Sequence, residues 1–148
     1  MIFGSATADD AAALADIHAL AFGDSWSPGE ITAMIRGAGA FGFVAREDEE
    51  IAGFILCRTI ADEAEVLTLA TKPARRRCGI ARGLVDAASS HAARRGAAKL
   101  FLEVAEDNHG AIALYQTIGF EQVGSRVGYY SRPGGAIAAL VMRCDLNR

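Results

Sequence analysis

Arg75-Arg76-Arg77-Cys78-Gly79-Ile80-Ala81-Arg82 stands between a segment of strand-forming residues and a segment with helical periodicity. The stretch has the pattern Arg/Gln-x-x-Gly-x-Gly/Ala, with Arg76, Gly79 and Ala81 at the defined positions. A turn of this kind points several backbone N–H groups at one spot, at the positive end of a helix, and such a spot binds pyrophosphate. The flanking arginines add charges that pair well with phosphate oxygens. The stretch therefore predicts a strand, a phosphate-binding turn and a helix, in that order.

Taken alone, this turn has low specificity, because glycine-rich turns before helices are common. A plain turn followed by a solvated basic helix face explains the same residues. The turn is not a Walker loop, since no Gly-Lys-Ser/Thr follows it, and its glycines do not fit the Gly-x-Gly-x-x-Gly dinucleotide pattern. The choice between these interpretations depends on the order of the surrounding elements.

Hydrophobic periodicity, capping residues and turn residues predict the elements on both sides of the turn. The predicted order is a short N-terminal strand, helices beginning near Thr7 and Ser27, strands over 41–45, 51–59 and 65–71, a helix over 79–95, a strand over 100–104, a helix over 108–118, and strands over 121–129 and 137–145. This order predicts an α/β (α+β) fold: one mixed central sheet of about seven strands with helices on both faces. The turn then lies at the carboxyl end of a central strand, where open α/β sheets place their ligands.

Composition limits the class of protein. The 148 residues suit one domain, which we expect to span 1–148, and 51% of them are apolar. The net charge of −3 argues against direct nucleic-acid binding. Cys57, Cys78 and Cys144 match no zinc pattern, so we expect no metal. With neither a signal peptide nor an apolar run of membrane-spanning length, we expect a cytoplasmic chain without a membrane partner.

Several segments around the turn match a known family. They include Asp62-Glu63-Ala64, Leu102-Glu103-Val104, Asn108, Ala111-Ile112-Ala113-Leu114-Tyr115 and Ile118-Gly119-Phe120, with Trp26-Ser27 and Gly128-Tyr129-Tyr130 further out. With these residues, the chain resembles the GCN5-related N-acetyltransferase (GNAT) superfamily over its whole length. Within that superfamily it is most similar to the RimI-like subgroup, bacterial enzymes that acetylate the N-terminal alanine of a ribosomal small-subunit protein.

The resemblance implies acetyl-CoA as co-substrate and a set of residues that bind it. The turn would surround the pyrophosphate, and the backbone of a bulged strand at 69–71 would face the thioester oxygen and the pantetheine arm, which Asn108 would also contact. Arg75 and Arg76 would either reach the ribose phosphate or be solvated. The implied cofactor-binding residues are Leu69, Ala70, Thr71, Arg76, Arg77, Cys78, Gly79, Ile80, Ala81, Arg82 and Asn108.

Two residues are candidates for the chemistry of amine acetylation. Glu103 carries the only charge in the strand over 100–104, and partial desolvation would make it a better proton acceptor. Tyr115 lies two helical turns after Asn108, on the same helix face, where its phenol would protonate the departing sulfur. Without the resemblance, a solvent-facing glutamate and an ordinary core tyrosine would be the simpler interpretations.

The resemblance implies direct acetyl transfer to the N-terminal α-amine of a protein, with the N-terminal alanine of a ribosomal protein as acceptor. The chain departs from the family pattern at Leu69-Ala70-Thr71, at Cys78 and at Ile137-Ala138, which leaves the acceptor open. A small-molecule amine or an antibiotic is one alternative acceptor. A non-catalytic CoA-ester-binding module and a nucleotide-binding module are alternatives from other functional classes.

Overall fold

The elements follow the predicted order. A computed structural model describes residues 1–22, 26–76 and 79–146. The described elements are β1 (Ile2–Ser5), a 3-10 turn (Ala8–Asp10), α1 (Ala11–Phe22), α2 (Pro28–Ile35), β2 (Ala40–Glu47), β3 (Glu50–Ile60), β4 (Glu63–Thr71), a second 3-10 turn (Pro73–Arg75), α3 (Ile80–Arg94), β5 (Lys99–Ala105), α4 (His109–Ile118), β6 (Glu121–Tyr130) and β7 (Ile137–Asp145).

The N-terminal helical segments begin at capping boxes. The Thr7 N–H donates to Asp10 Oδ2 at 2.9 Å, which starts the 3-10 turn that leads into α1. At α2, the Glu30 N–H donates to Ser27 Oγ and the Ser27 N–H donates to Glu30 Oε1, both at 3.1 Å. These bonds satisfy backbone donors that a helix start leaves unpaired, so the polar residues at these positions determine where the helices begin.

The strands form one mixed seven-stranded sheet in the order β1-β2-β3-β4-β5-β7-β6, which confirms the predicted fold class. β4 and β5 run parallel, and the other neighbours run antiparallel. The parallel pair is connected by the turn and α3, so the turn predicted to bind phosphate lies at the carboxyl end of β4, in the middle of the sheet. This is the position in which open sheets bind ligands.

Helices cover both faces of the sheet, but they cover them unequally. α3 and α4 pack on one face over a core that includes Ile80, Leu84, Val85, Ala88 and Ala92 from α3, and Leu100, Leu102, Val104 and Met142 from the strands. α1 and α2 pack on the opposite face, against Val44, Phe54, Leu56 and Ala70 of β2, β3 and β4. Among the described residues, the core beneath α1 and α2 contains none from β5, β6 or β7. The face of those three strands opposite α4, here called the open face, therefore lies outside that core.

Candidate functional site

The central parallel strands separate after a short paired segment. β4 and β5 pair only at Glu63–Lys99, Ala64–Leu100 and Glu65–Phe101. β4 then continues to Thr71 and β5 to Ala105 with no further pairs between them in the described residues. Backbone N–H and C=O groups on the facing edges are thus available to an extended ligand, which can pair with them as an additional strand would.

A β-bulge in β4 marks the beginning of this separation. Leu56 of β3 pairs with Thr68 and Cys57 pairs with Val66, so Leu67 is an extra residue on β4. A bulge bends its strand and increases the local twist, which directs the end of β4 away from β5. The bulge expected at 69–71 therefore lies earlier, two residues after the last β4–β5 pair. Leu69, Ala70 and Thr71 themselves pair regularly with Ile55, Phe54 and Gly53 of β3.

The start of α3 has the backbone conformation that the turn motif predicts. Gly79 is the N-cap with φ of 77°, a left-handed conformation that side chains disfavour, and a Cβ added there would meet nothing within 4 Å. The first intrahelical bond runs from the Gly83 N–H to the Gly79 carbonyl at 3.0 Å, so the N–H groups of Ile80, Ala81 and Arg82 have no acceptor within the helix. The Ile80 side chain is buried and fixes this end in the core, which leaves its backbone to face the turn.

The arginines of the turn differ in their surroundings. Arg75 donates from Nη2 to Glu47 Oε2 at 2.9 Å, which ties the turn to the end of β2 and lowers the pKa of the Glu47 carboxyl. Arg75 is thus paired with a carboxylate in this structure. Arg76 and Arg82 are exposed. Arg77 and Cys78, the other two predicted turn residues, lie outside the described residues.

Glu103 lies on the open face of β5. Leu100, Leu102 and Val104 face the core under α3 and α4, so alternation directs Glu103 to the opposite side. Its side chain is 30% exposed, and Arg126 of β6 places Nε 2.9 Å from Oε2. The glutamate is therefore half-buried and held in an ion pair, neither fully solvated nor isolated in an apolar environment.

Tyr115 lies on the other side of β5, on α4, half-buried against the core. Its ring centroid is 5.8 Å from that of Phe120. Burial, with a smaller effect from the acidic group of Tyr130, raises the pKa of Tyr115 to about 12. The phenol therefore keeps its proton throughout the physiological pH range.

Tyr130 connects the two candidate residues electrostatically. Burial raises the pKa of Tyr130, and the negative charge of Glu103 raises it further. The acidic group of Tyr130 in turn acts on Tyr115. Glu103, Tyr130 and Tyr115 are therefore close enough for their charges to interact, although they come from three different elements.

Asn108 caps α4, because its Oδ1 accepts from the Ala111 N–H at 3.2 Å. The cap uses only the oxygen of this amide, so the side-chain NH₂ is not needed for it. The preceding residue, Asp107, pairs with both Arg132 Nε, at 2.9 Å, and Arg132 Nη2, at 3.2 Å. This forked contact connects the loop after β5 to the segment that follows β6, and it lowers the pKa of Asp107.

Sequence reasoning did not identify Arg126 and Arg132. Both residues act on groups of another strand or loop, and these contacts depend on the pairing of β6 with β7 and of β7 with β5. No local spacing signal indicates them. By contrast, Tyr129 and Tyr130 belong to a segment that the family resemblance includes.

The described residues lack the features of two other kinds of site. They contain no group of three or more His, Cys, Asp or Glu side chains placed to hold a metal ion. No described helix combines the length and hydropathy needed to cross a membrane.

The candidate site is the gap between β4 and β5, with the Glu103 carboxylate on one face of the sheet and the protonated phenol of Tyr115 on the other. This arrangement can accept a proton on one side of a bound group and donate a hydrogen bond on the other.

Comparison with known proteins agrees with this geometry. The sequence pattern of the Acetyltransferase (GNAT) family matches residues 11–120, which ends immediately before β6. A ribosomal protein bS18-alanine N-acetyltransferase of Haemophilus influenzae is 39% identical over 101 residues, which are 68% of each chain.

Solved structures resemble the whole chain. The crystal structure of the ribosomal-protein-S18-alanine N-acetyltransferase from Escherichia coli matches with a TM-score of 0.92 and 28% identity, covering 99% of this chain and 94% of that one. An aminoglycoside 6′-N-acetyltransferase complexed with coenzyme A matches with a TM-score of 0.86 and 18% identity, covering 100% and 98%. The second likeness concerns the fold alone.

Proposed function

The chain belongs to the GNAT acetyltransferase family, and from that premise we propose that it acetylates the N-terminal α-amine of a protein. We further propose the N-terminal alanine of a ribosomal small-subunit protein as the acceptor. The observation that supports this most strongly is the similarity, over most of both chains, to enzymes named for that substrate. We take residues 1–148 as one catalytic unit that acts in the cytoplasm.

Acetyl-CoA is the co-substrate of this family. We propose that its pyrophosphate binds the turn before α3, with contacts from Arg76, Arg77, Cys78 and the N–H groups of Gly79 to Arg82. The pantetheine arm would lie in the gap between β4 and β5 and pair with the backbone of 69–71. The α3 N–H groups that have no acceptor within the helix and the unpaired strand edges support this placement, because both suit a phosphate joined to an extended amide chain.

Glu103 is proposed as the base. The amine nitrogen attacks the thioester carbonyl carbon, a C–N bond forms, and the nitrogen then loses a proton to Glu103, directly or through one water. A free α-amine has a pKa of about 7.7–8.0, so a substantial fraction is already neutral near pH 8. The position of Glu103 on the open face supports this role, since the acceptor can approach there without displacing a helix.

Tyr115 is proposed as the group that assists the departing sulfur. As the C–S bond breaks, the phenol donates a hydrogen bond to the developing thiolate, which leaves as the CoA thiol once it is protonated. A thiol has a pKa of about 8.5, so full transfer from a phenol with a pKa of about 12 is unfavourable by three to four units. Tyr115 therefore contributes mainly through the hydrogen bond. Direct transfer needs no acetyl-enzyme.

The test is acetyl transfer to peptides that differ only in their first residue. We expect a peptide with N-terminal alanine to react fastest, and mass spectrometry to place the acetyl group on its α-amine. An N-terminally blocked peptide with an internal lysine is the matched control. Its amine has a pKa of about 10.4, and we expect it to be inert near pH 8. Faster acetylation of polyamines or aminoglycosides would contradict the protein substrate, and CoA binding without thiol release on any amine would indicate a non-catalytic module.

A further inference from the structure

We propose that Arg126 is a positioning residue for Glu103: it holds one carboxylate oxygen so that the other faces the acceptor amine. This inference rests on the proposed function, because it assigns a role to the partner of the proposed base. Arg126 belongs to β6, which begins where the match to the family ends.

The sheet places Arg126 where only a long side chain reaches Glu103. β7 lies between β5 and β6, with Glu103 paired to Val141 and Arg126 paired to Ala139. Residues 139 and 141 are two apart on one strand, so they share a face. The arginine side chain thus extends across β7, above a residue that has only a methyl group, and carries a cation from the edge strand to the centre of the open face.

The contact engages one oxygen of the carboxylate. Arg126 Nε lies 2.9 Å from Glu103 Oε2, so the two groups form a close ion pair. A glutamate side chain rotates freely about its terminal torsion unless a partner fixes the carboxylate plane. The attraction of the guanidinium for Oε2 therefore restrains the carboxylate and leaves Oε1 to meet the amine or its bridging water.

The guanidinium is itself restrained. Its central carbon lies 5.3 Å from the centroid of the Tyr129 ring, within the range of a cation–π contact. Gly128, with φ of 66°, lies in the segment where the β6–β7 register shifts between Arg126 and Tyr130. This irregular segment brings Tyr129 back over Arg126, so the cation contacts both an aromatic ring and a carboxylate.

The experiment compares Arg126→Gln and Arg126→Lys with the wild type on the N-terminal alanine peptide. We expect Arg126→Gln to lower kcat about tenfold, because small errors in the placement of a reacting group are costly, with unchanged KM for acetyl-CoA. Arg126→Lys should recover part of the loss, since it keeps the charge but not the planar donor. Arg126 is 58% exposed, so thermal melting should show that all variants fold.

Two further variants separate positioning from a structural effect. In a Glu103→Gln background, Arg126→Gln should change kcat by less than about twofold, because the group it positions is gone. Arg143→Gln is the matched control: it removes a cation from the same face of β7, where Arg143 pairs with Asp145. We expect its kcat to stay within about twofold of the wild type.

The outcomes distinguish the inference from the proposed function. The positioning role is overturned if Arg126→Gln keeps the full kcat, or if it lowers kcat equally in the wild-type and Glu103→Gln backgrounds. Neither result contradicts the peptide activity proposed for the wild type. A lowered peptide KM with unchanged kcat also overturns the positioning role, since Arg126 would then compete with the acceptor. A wild type that acetylates no peptide contradicts the proposed function, and this inference with it.

Discussion

The two sides of the candidate site differ in the chemical groups that they present to a ligand. On the proposed cofactor side, here called the cofactor side, the end of β4 and the start of α3 offer backbone groups, directed by the bulge at Leu67 and the left-handed Gly79. On the proposed acceptor side, here called the acceptor side, the open face offers side chains, above all Glu103 and Arg126. A backbone site depends on chain conformation and tolerates many side chains, whereas a side-chain site depends on individual charges. The difference explains how one fold can bind one cofactor and present varied surfaces to acceptors.

The ion pairs follow the same division. Arg75 and Glu47 pair on the cofactor side and stabilise the turn. The Glu103–Arg126 and Asp107–Arg132 pairs connect elements on the acceptor side. If the two sides are separable, changes on the acceptor side should alter turnover at unchanged acetyl-CoA affinity. Changes in the turn should alter acetyl-CoA affinity at unchanged turnover.

The largest effect should come from Glu103→Gln. Loss of a positioned base typically lowers the rate by about 10²–10⁴-fold, and we expect a fall of this order in kcat on the alanine peptide. Acetyl-CoA binding, measured by calorimetry, should be unchanged, because the cofactor contacts that we propose lie at the end of β4 and the start of α3. Wild-type kcat in this variant would contradict the assignment of Glu103, and weaker acetyl-CoA binding would contradict the separation of the two sides.

Tyr115→Phe should have the next largest effect. Removing the hydroxyl removes one hydrogen bond to the departing sulfur, and loss of such a donor to developing charge costs about 10²–10³-fold in kcat. We expect the lower end of that range, because a thiolate is already a good leaving group. Steady-state kinetics with acetyl-CoA and the alanine peptide checks this, and unchanged kcat would assign Tyr115 to the core alone.

The pH dependence gives an independent test of Tyr115. Its pKa in the folded protein is raised to about 12, so the protonated form is present below that pH and is lost only above it. The activity should rise toward about pH 8 as the peptide amine becomes neutral, and then stay level to about pH 10. A decline between pH 8 and 10 that is absent in Tyr115→Phe would mean that the phenol titrates in that range, contrary to its burial.

A smaller effect, on the cofactor side, is expected from Gly79→Ala. A side chain disfavours the left-handed conformation by about 1–2 kcal/mol, and relaxation of this strain would redirect the N–H groups at the start of α3. We expect about tenfold weaker acetyl-CoA binding, equivalent to about 1.4 kcal/mol, with kcat at saturation unchanged.

Gly96→Ala provides the matched control. Gly96 follows the other end of α3 with φ of 93°, and a Cβ there also meets nothing within 4 Å. Both variants should melt earlier by similar amounts, but only Gly79→Ala should lose acetyl-CoA affinity. An equal loss of affinity in both would show that the effect comes from stability rather than from the turn.

Much of the fold was predictable because its signals are local. Caps at Thr7 and Ser27, the glycines after α3 and α4, and alternation within the strands all act over a few residues. The buried stripe of α3 is less easily predicted. Helical spacing alone favours Ile80, Leu84, Ala87 and His91, whereas Val85, Ala88 and Ala92 are the residues buried with Ile80 and Leu84. Ala87 and His91 are partly buried at the edge of that stripe.

The features of the site that the sequence does not predict depend on contacts across the sheet. The position of the bulge follows from where β4 stops pairing with β5, and the partner of Glu103 follows from the order β5-β7-β6. Neither leaves a signal in the residues adjacent to Leu67 or Glu103. The candidate residues Glu103 and Tyr115 were found through a family pattern, which contains information about such contacts that spacing alone lacks.

The smallest effect should come from Asp107→Asn, which tests whether the acceptor-side ion pairs act on stability as well as on turnover. The pKa of Asp107 is lowered by Arg132, so its contribution to stability is present above its ordinary value and is lost as the pH falls through the lowered one. We expect a slight decrease in Tm at pH 7, and we expect this difference between the variant and the wild type to shrink as the pH falls through the lowered pKa and Asp107 becomes protonated. Asp86→Asn removes an exposed carboxylate of α3 remote from Arg132 and should leave Tm unchanged at pH 7. Because Asp107 is exposed, a large loss of stability at neutral pH would contradict the view that this pair orients the loop before α4 rather than holding the fold together.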